Sequence, residues 1–124
     1  MIERNTTQRR AIQRVLQEAD RPLNTDEILE LGLKRISRLG IATVYRAIKE
    51  FMEEGWVAQV QMPGQPARYE IAGKEHHHYF FCRACNKAYE VNGCPGNMKH
   101  LAPVGFTLER HELVLYGLCA SCGA

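Results

Sequence analysis

An α+β fold built from two unlike halves is predicted by three features of this sequence. Residues 1–73 carry three apolar patterns of helical period and then two short alternating segments. Residues 74–124 read as β-rich. No cysteine or histidine precedes His76, so all ten of them lie in the second half. Helix–helix–helix–hairpin is the order of a winged helix, a relative of helix-turn-helix. The boundary is placed near Ala72-Gly73-Lys74.

The first helix is carried by Ala11, Ile12, Val15, Leu16 and Ala19, with Thr6 or Thr7 as the expected N-cap and Pro22 beyond its end. Asn24-Thr25-Asp26-Glu27 resembles a capping box, and Ile28, Leu29, Leu31 and Leu33 follow as an apolar stripe. Val44, Ala47, Ile48 and Phe51 define a third helix that Gly55 can close. Trp56, Ala58 and Val60 share one face of a first strand, and Tyr69 and Ile71 one face of a second. Met62-Pro63-Gly64-Gln65-Pro66 is the turn between them.

With its apolar face buried, the third helix turns Thr43, Tyr45, Arg46 and Lys49 outward. Arginine reads guanine edges or holds phosphate; threonine and tyrosine contact phosphate oxygens or a thymine methyl. Arg9 and Arg10 at the start of the first helix would add phosphate contacts. Glu50, Glu53 and Glu54 follow on the same third helix, so a plain solvated face is an equally good reading of the pattern.

In the second half, Tyr79–Cys82, Ala88–Val91 and Phe106–Leu118 are strand candidates, and Pro95–Leu101 a short helix with Pro95 at its first position. The last strand is apolar on both faces. Strands of that kind are usually covered on both sides, and some fifty residues cannot cover one alone. A second copy of the chain is therefore expected.

Cys82-x-x-Cys85 and Cys119-x-x-Cys122 form a matched pair with thirty-three residues between them. Two such knuckles around one ion make a closed, tetrahedral four-cysteine zinc site, which supplies folding energy that a small domain lacks. Two redox motifs or four buried thiols are the rival readings, but the βαβ setting of redox Cys-x-x-Cys is missing. Cys94 and the five histidines remain. His76 and His78, two apart on an extended segment, point to one side. With His111 and Cys94 they would complete a second tetrahedral site, although composition alone fixes no geometry.

The chain has 124 residues, 45% hydrophobic and 24% charged, with a net charge of +2. These values suit a globular protein and neither announce nor exclude a nucleic-acid partner. MIERNTTQRR has no apolar run of a secretory signal, and no stretch approaches the ~20 apolar residues of a membrane span. A cytoplasmic setting with no membrane partner is expected, where an odd count of five cysteines favours metal or thiol chemistry over disulfides. A zinc or thiol enzyme is the rival class. Its catalytic metal would need an open coordination position, which a four-ligand site does not leave.

The stretches GIATVYRAIKEF (40–51), HHHYFFCRAC (76–85), RHELVLYG (110–117) and the terminal CASC resemble, in order and spacing, the ferric uptake regulator family. The resemblance covers essentially the whole chain. It implies a homodimeric, metal-dependent transcription regulator, usually a repressor. An N-terminal winged helix would read double-stranded operator DNA, and a small α/β domain would dimerise and sense metal. No small-molecule substrate and no enzymatic activity are implied. Position by position, Tyr45 and Arg46 match DNA contacts and Arg9 a basic contact on the first helix. Cys82, Cys85, Cys119 and Cys122 match the structural zinc site. His76, His78 and His111 match three of four sensing ligands.

The usual fourth sensing ligand is a glutamate seventeen residues before the last histidine, and here that position is Cys94. A thiolate favours softer ions and tetrahedral geometry. The expected sensed ion is thus a second Zn2+, placing the chain in the zinc-responsive branch, with Fe2+ or peroxide response as the alternative. Many members have a further hinge site. Glu70 and His77 fit two of its places, but Pro22 stands where its helix-two histidine belongs and Tyr79 replaces its last histidine. That site in its usual form, and peroxide sensing through it, are not expected.

Overall fold

A computed structural model describes residues 2–94 and 96–124 and, for residues 2–5, the backbone only. The chain divides into two compact units, Met1–Lys74 and Glu75–Ala124. Helices and small sheets give the α+β architecture, with the helix–helix–helix–hairpin order of a winged helix in the first unit and a small sheet in the second.

In the first unit, α1 (Ile2–Glu18), α2 (Thr25–Leu33) and α3 (Ile41–Glu54) precede the antiparallel hairpin β1 (Val57–Val60) and β2 (Arg68–Ile71). One core joins them: Ile12, Val15 and Leu16 of α1, Ile28 of α2, Val44, Ala47, Ile48 and Phe51 of α3, and Val57 and Tyr69 of the hairpin. Leu23 bridges Tyr69 through reciprocal N–H···O bonds of 3.0 and 2.8 Å, so the α1–α2 connection adds a third rung to the wing.

The capping box of α2 is formed as expected. The Asn24 side chain accepts from the Glu27 N–H at 2.8 Å, and the Glu27 carboxylate accepts from the Asn24 N–H at 3.0 Å. Asn24→Ala removes one half of this exchange and leaves an orphan donor at the helix start. It is expected to destabilise the first unit by about 1 kcal/mol, read as a shift in the denaturation midpoint. Gly55 closes α3 in the left-handed conformation, φ 87°, which glycine adopts without steric cost.

Several boundaries differ from expectation. Helix α1 already runs through Thr6 and Thr7, so neither is its N-cap. Leu33, at the last turn of α2, is exposed, because the stripe drifts off the core face there. In β1 the buried side chains are Val57 and Val60, with Trp56 and Ala58 half-buried; Trp56 instead packs its ring 4.1 Å from that of Phe51.

In the second unit, β3 (His78–Cys82) lies between β4 (Ala88–Val91), antiparallel to it, and β5 (Val114–Gly117), parallel to it. The long strand expected over Phe106–Leu118 shrinks to Val114–Gly117, since β3 offers only five residues to pair with. A 3-10 turn spans Lys99–Leu101, and the helix expected from Pro95 is otherwise not formed; Pro95 itself lies outside the described residues. The turn helix α4 (Ala120–Gly123) follows β5. Among the described residues no helix is long and apolar enough to cross a membrane.

Candidate metal centres and nucleic-acid interface

Two metal-ligand clusters within the second unit arise from the topology of its three-stranded sheet. Strands β3 and β5 are parallel with Tyr79 opposite Val114 and Cys82 opposite Gly117. Continuing that register backwards sets His76 opposite His111, thirty-five positions apart, with their Nε2 atoms 3.4 Å from each other. Strand β4 runs the other way, pairing Val91 with His78. Its end therefore returns the chain to the same end of β3, and the turn at Gly93, φ 135°, precedes Cys94 there. The Cys94 Sγ lies 3.3 Å from Nε2 of His78 and 3.1 Å from Nε2 of His111. At the other end of β3, Cys82 and Cys85 meet Cys119 and Cys122, which follow β5.

The donor atoms of His76, His78, Cys94 and His111 all lie within 4.8 Å of one another, and so do those of Cys82, Cys85, Cys119 and Cys122. Tetrahedral zinc with Zn–S near 2.3 Å and Zn–N near 2.05 Å requires edges of about 3.8 Å between sulfurs and about 3.4 Å between nitrogens. The Cys85–Cys119 sulfurs are 3.9 Å apart and the His76–His111 nitrogens 3.4 Å. The nitrogen–sulfur edges fall somewhat below the ideal of about 3.6 Å. Both sets fit a tetrahedral ion.

The electrostatics of the four sulfurs point the same way. Backbone N–H groups of Cys85 and Cys119 pull the Cys82 thiol down to about 6. Hydrogen bonding to Cys119, and then to Cys82, pushes the Cys122 thiol up to about 12. Four adjacent thiolates repel one another, and a cation is what lets all four ionise together. At the other cluster, burial lowers the pKa of His78, and its histidine neighbours act in the same direction. That favours the neutral imidazole, the ligating form.

His77 is differently placed. Its Nδ1 faces the Glu75 carbonyl at 2.6 Å and its Nε2 the Tyr79 hydroxyl at 2.8 Å, with Glu90 3.8 Å away. Both ring nitrogens thus have partners, consistent with Nδ1–H donating and Nε2 accepting. Glu70 is buried in β2 with Lys74 3.8 Å away. Sequence reading missed the Tyr89 hydroxyl, 3.9 Å from the Cys85 sulfur. Its place two residues into β4 opposite Phe80 is a matter of register, which carries no local signal.

On α3, Tyr45, Arg46 and Lys49 are exposed and Thr43 is half-buried. The Tyr45 hydroxyl lies 3.3 Å from Thr25 Oγ1 at the start of α2. Arg9 departs from expectation. Its guanidinium meets Glu50 at 2.6 Å and Glu54 at 2.7 Å and stacks 4.4 Å over the Phe51 ring. This clamp holds α1 to α3 and neutralises two of the three acids whose presence argued against a DNA-binding face. The same donors are not free for phosphate in this arrangement.

The chain matches the ferric uptake regulator family over residues 3–116. It is 32% identical to the Campylobacter jejuni ferric uptake regulation protein over 124 residues, covering 94% of this chain and 78% of that protein. Among solved structures it is similar to a zinc-bound manganese uptake regulator, at TM-score 0.77 and 28% identity, covering 90% of this chain and 87% of that one. It is also similar to the Helicobacter pylori ferric uptake regulator, described with three functional metal-binding sites, at TM-score 0.70 and 26% identity, covering 94% and 80%.

Proposed function

The chain belongs to the ferric uptake regulator family, and from that premise we propose that it is a zinc-sensing, homodimeric repressor acting in the cytoplasm. It is a metal-responsive transcription regulator and not an enzyme. The observation that carries the zinc reading is the Cys94 thiol set 3.1–3.3 Å from two imidazoles of a three-histidine cluster. Three nitrogens and one thiolate suit a borderline ion in tetrahedral geometry better than a hard one. Iron would be better served by the carboxylate usual at that place.

In this reading Cys82, Cys85, Cys119 and Cys122 hold a structural zinc that ties β5 and α4 to the β3–β4 turn. His76, His78, Cys94 and His111 hold the sensed ion. A bound ion there would supply positive charge to be shared by these four side chains. Held by one ion, those four residues would fix the starts of β3 and β5 and the loop after β4 relative to one another. Metal occupancy is then the condition for operator binding.

The dimer is supported by apolar surface on the second unit. Leu101, Val104, Phe106, Leu115, Tyr116 and Leu118 are exposed there, and β5 is an edge strand. Exposed apolar patches and open edges of this kind mark association surfaces. Arg46, Tyr45, Lys49 and Thr43 would read DNA from α3, one helix per half-site of a palindrome. Arg9 would serve by bracing α3 rather than by touching phosphate.

The test is selection from a random duplex pool by zinc-loaded, iron(II)-loaded and chelated protein. Palindromes enriched with zinc alone are the expected result; equal enrichment by chelated protein would sink the metal requirement, and enrichment with iron alone the zinc assignment. On the selected duplex, Arg46→Ala is expected to weaken binding by about 1–3 kcal/mol if the contact is to a base edge. Affinity should also fall steeply with salt. Unchanged affinity of Arg46→Ala at fixed salt would take Arg46 out of the reading role.

A further inference from the structure

Cys94 differs from the other cysteines in its surroundings. It is exposed, and its sulfur faces imidazole nitrogens rather than other sulfurs. Behind it His78 is only 2% exposed and aims Nε2 at the sulfur, so the thiol rests against a buried polar group and is itself exposed. Cys82, by contrast, is fully buried and receives the Cys119 N–H at 3.3 Å. Cys85 is half-buried beside the Tyr89 hydroxyl. Burial keeps an oxidant from Cys82 and shields Cys85, because thiol oxidation follows exposure. Cys122 is exposed as well, but it shares its site with three other sulfurs.

We propose that Cys94 is an oxidative modification site for hydroperoxides, and that its conversion to a sulfenic acid switches off the His76–His78–Cys94–His111 metal site. The inference rests on the reading of Cys94 as a ligand. The Cys94 thiolate attacks one oxygen of the peroxide; an S–O bond forms and the O–O bond breaks. Sulfur gives up two electrons and the peroxide takes them; the departing hydroxide or alkoxide takes up one proton from the buffered solvent to become water or alcohol. The neutral sulfenic acid no longer offers the anionic sulfur that completes the ligand set, and three imidazoles remain. The other four cysteines form the cluster at the far end of β3, about 13 Å along the strand for four residues. Among the described residues no thiol lies beside Cys94 to trap it as an internal disulfide. Two equivalents of a small thiol restore it, the first expelling water to give a mixed disulfide and the second releasing the Cys94 thiol. This route uses none of the hinge positions where Pro22 and Tyr79 stand.

The experiment uses the full-length protein loaded with two zinc ions per chain. Hydrogen peroxide is added with a chromophoric zinc chelator and dimedone, which tags sulfenic acids. The expected result is release of one of the two ions and a dimedone adduct on the Cys94 peptide. In a parallel sample without dimedone, dithiothreitol restores zinc uptake. In Cys94→Glu, whose own zinc affinity is measured first, peroxide-driven release falls to the background without peroxide. Oxygen added to His76, His78 or His111 instead, adducts on the four-cysteine cluster ahead of Cys94, or no release at all would overturn the proposal. Failure of the underlying ligand reading looks different: untreated Cys94→Ser would then keep both ions. If untreated Cys94→Ser loses one ion while wild-type Cys94 stays unmodified by peroxide, only the redox inference falls.

Discussion

Cys82→Ser is expected to release one zinc per chain and to unfold the second unit, with loss of the dimer. Cys82 is fully buried at the end of β3, where its backbone N–H donates to the Lys87 carbonyl at 3.0 Å and its sulfur accepts from the Cys119 N–H. The residue therefore sits at the junction of the β3–β4 turn and the chain after β5. A serine hydroxyl stays protonated and is a poor zinc ligand, so three thiolates would remain around an ion that needs four. Structural zinc contributes roughly 10–16 kcal/mol of apparent binding energy in small metal-dependent folds. A unit of about fifty residues has at most a few kcal/mol of its own to spare. The loss of metal exceeds that margin. The first unit has a separate core and should keep its helical signal. Zinc stoichiometry, size-exclusion mass and circular dichroism read the result. A folded dimer of Cys82→Ser that retains all its zinc would defeat the structural-site assignment.

The second large effect is expected from Cys94→Ser, and it should be confined to the other cluster. The substitution removes a donor set 3.1 Å from His111 and 3.3 Å from His78 while leaving β3, β5 and the four-cysteine cluster untouched. Loss of an outer-shell partner of a metal ligand typically costs 10- to 100-fold in affinity, and loss of a ligand itself should cost about that or more. The variant should keep one tightly held zinc, stay folded, and no longer bind its selected duplex in response to metal. Competition titration with a zinc indicator separates the two sites. If Cys94→Ser binds two zinc ions with unchanged affinity, Cys94 is not a ligand. The sensing set would then have to be rebuilt from His76, His78 and His111 with His100 or Glu109.

Much of the fold was legible because its signals are local. The Asn24–Glu27 capping box, the apolar period of α3 and the glycine at its end each depend on neighbours within one or two turns, and each formed where expected. The start of α1 lies earlier than Thr6 or Thr7, since a threonine can cap a helix but also be carried inside one. The strand after residue 106 was read as long because its residues suit a sheet on both faces, yet a strand exists only where another backbone pairs with it, and β3 supplies five residues. The pairing of Arg9, expected from sequence to contact phosphate, with Glu50 and Glu54 is not legible locally, because those partners are more than forty positions away.

By itself the sequence determined which atoms are available for metal chemistry: two Cys-x-x-Cys pairs, histidines two apart before a strand, and a cysteine after a Gly turn. Ligand type and short spacing are properties of the local chain, and they restrict the chemistry before any fold is known. Only the tertiary structure decided which of these atoms meet. The offset of thirty-five between β3 and β5 sets His76 against His111, and the antiparallel return of β4 brings Cys94 to the same end of β3. His77, one residue from two members of that cluster, points to the other face of the strand and is held by Tyr79. Strand pairing is a contact between distant segments, and because side chains alternate along a strand, a register shift of a single residue would have exchanged His77 for its neighbours.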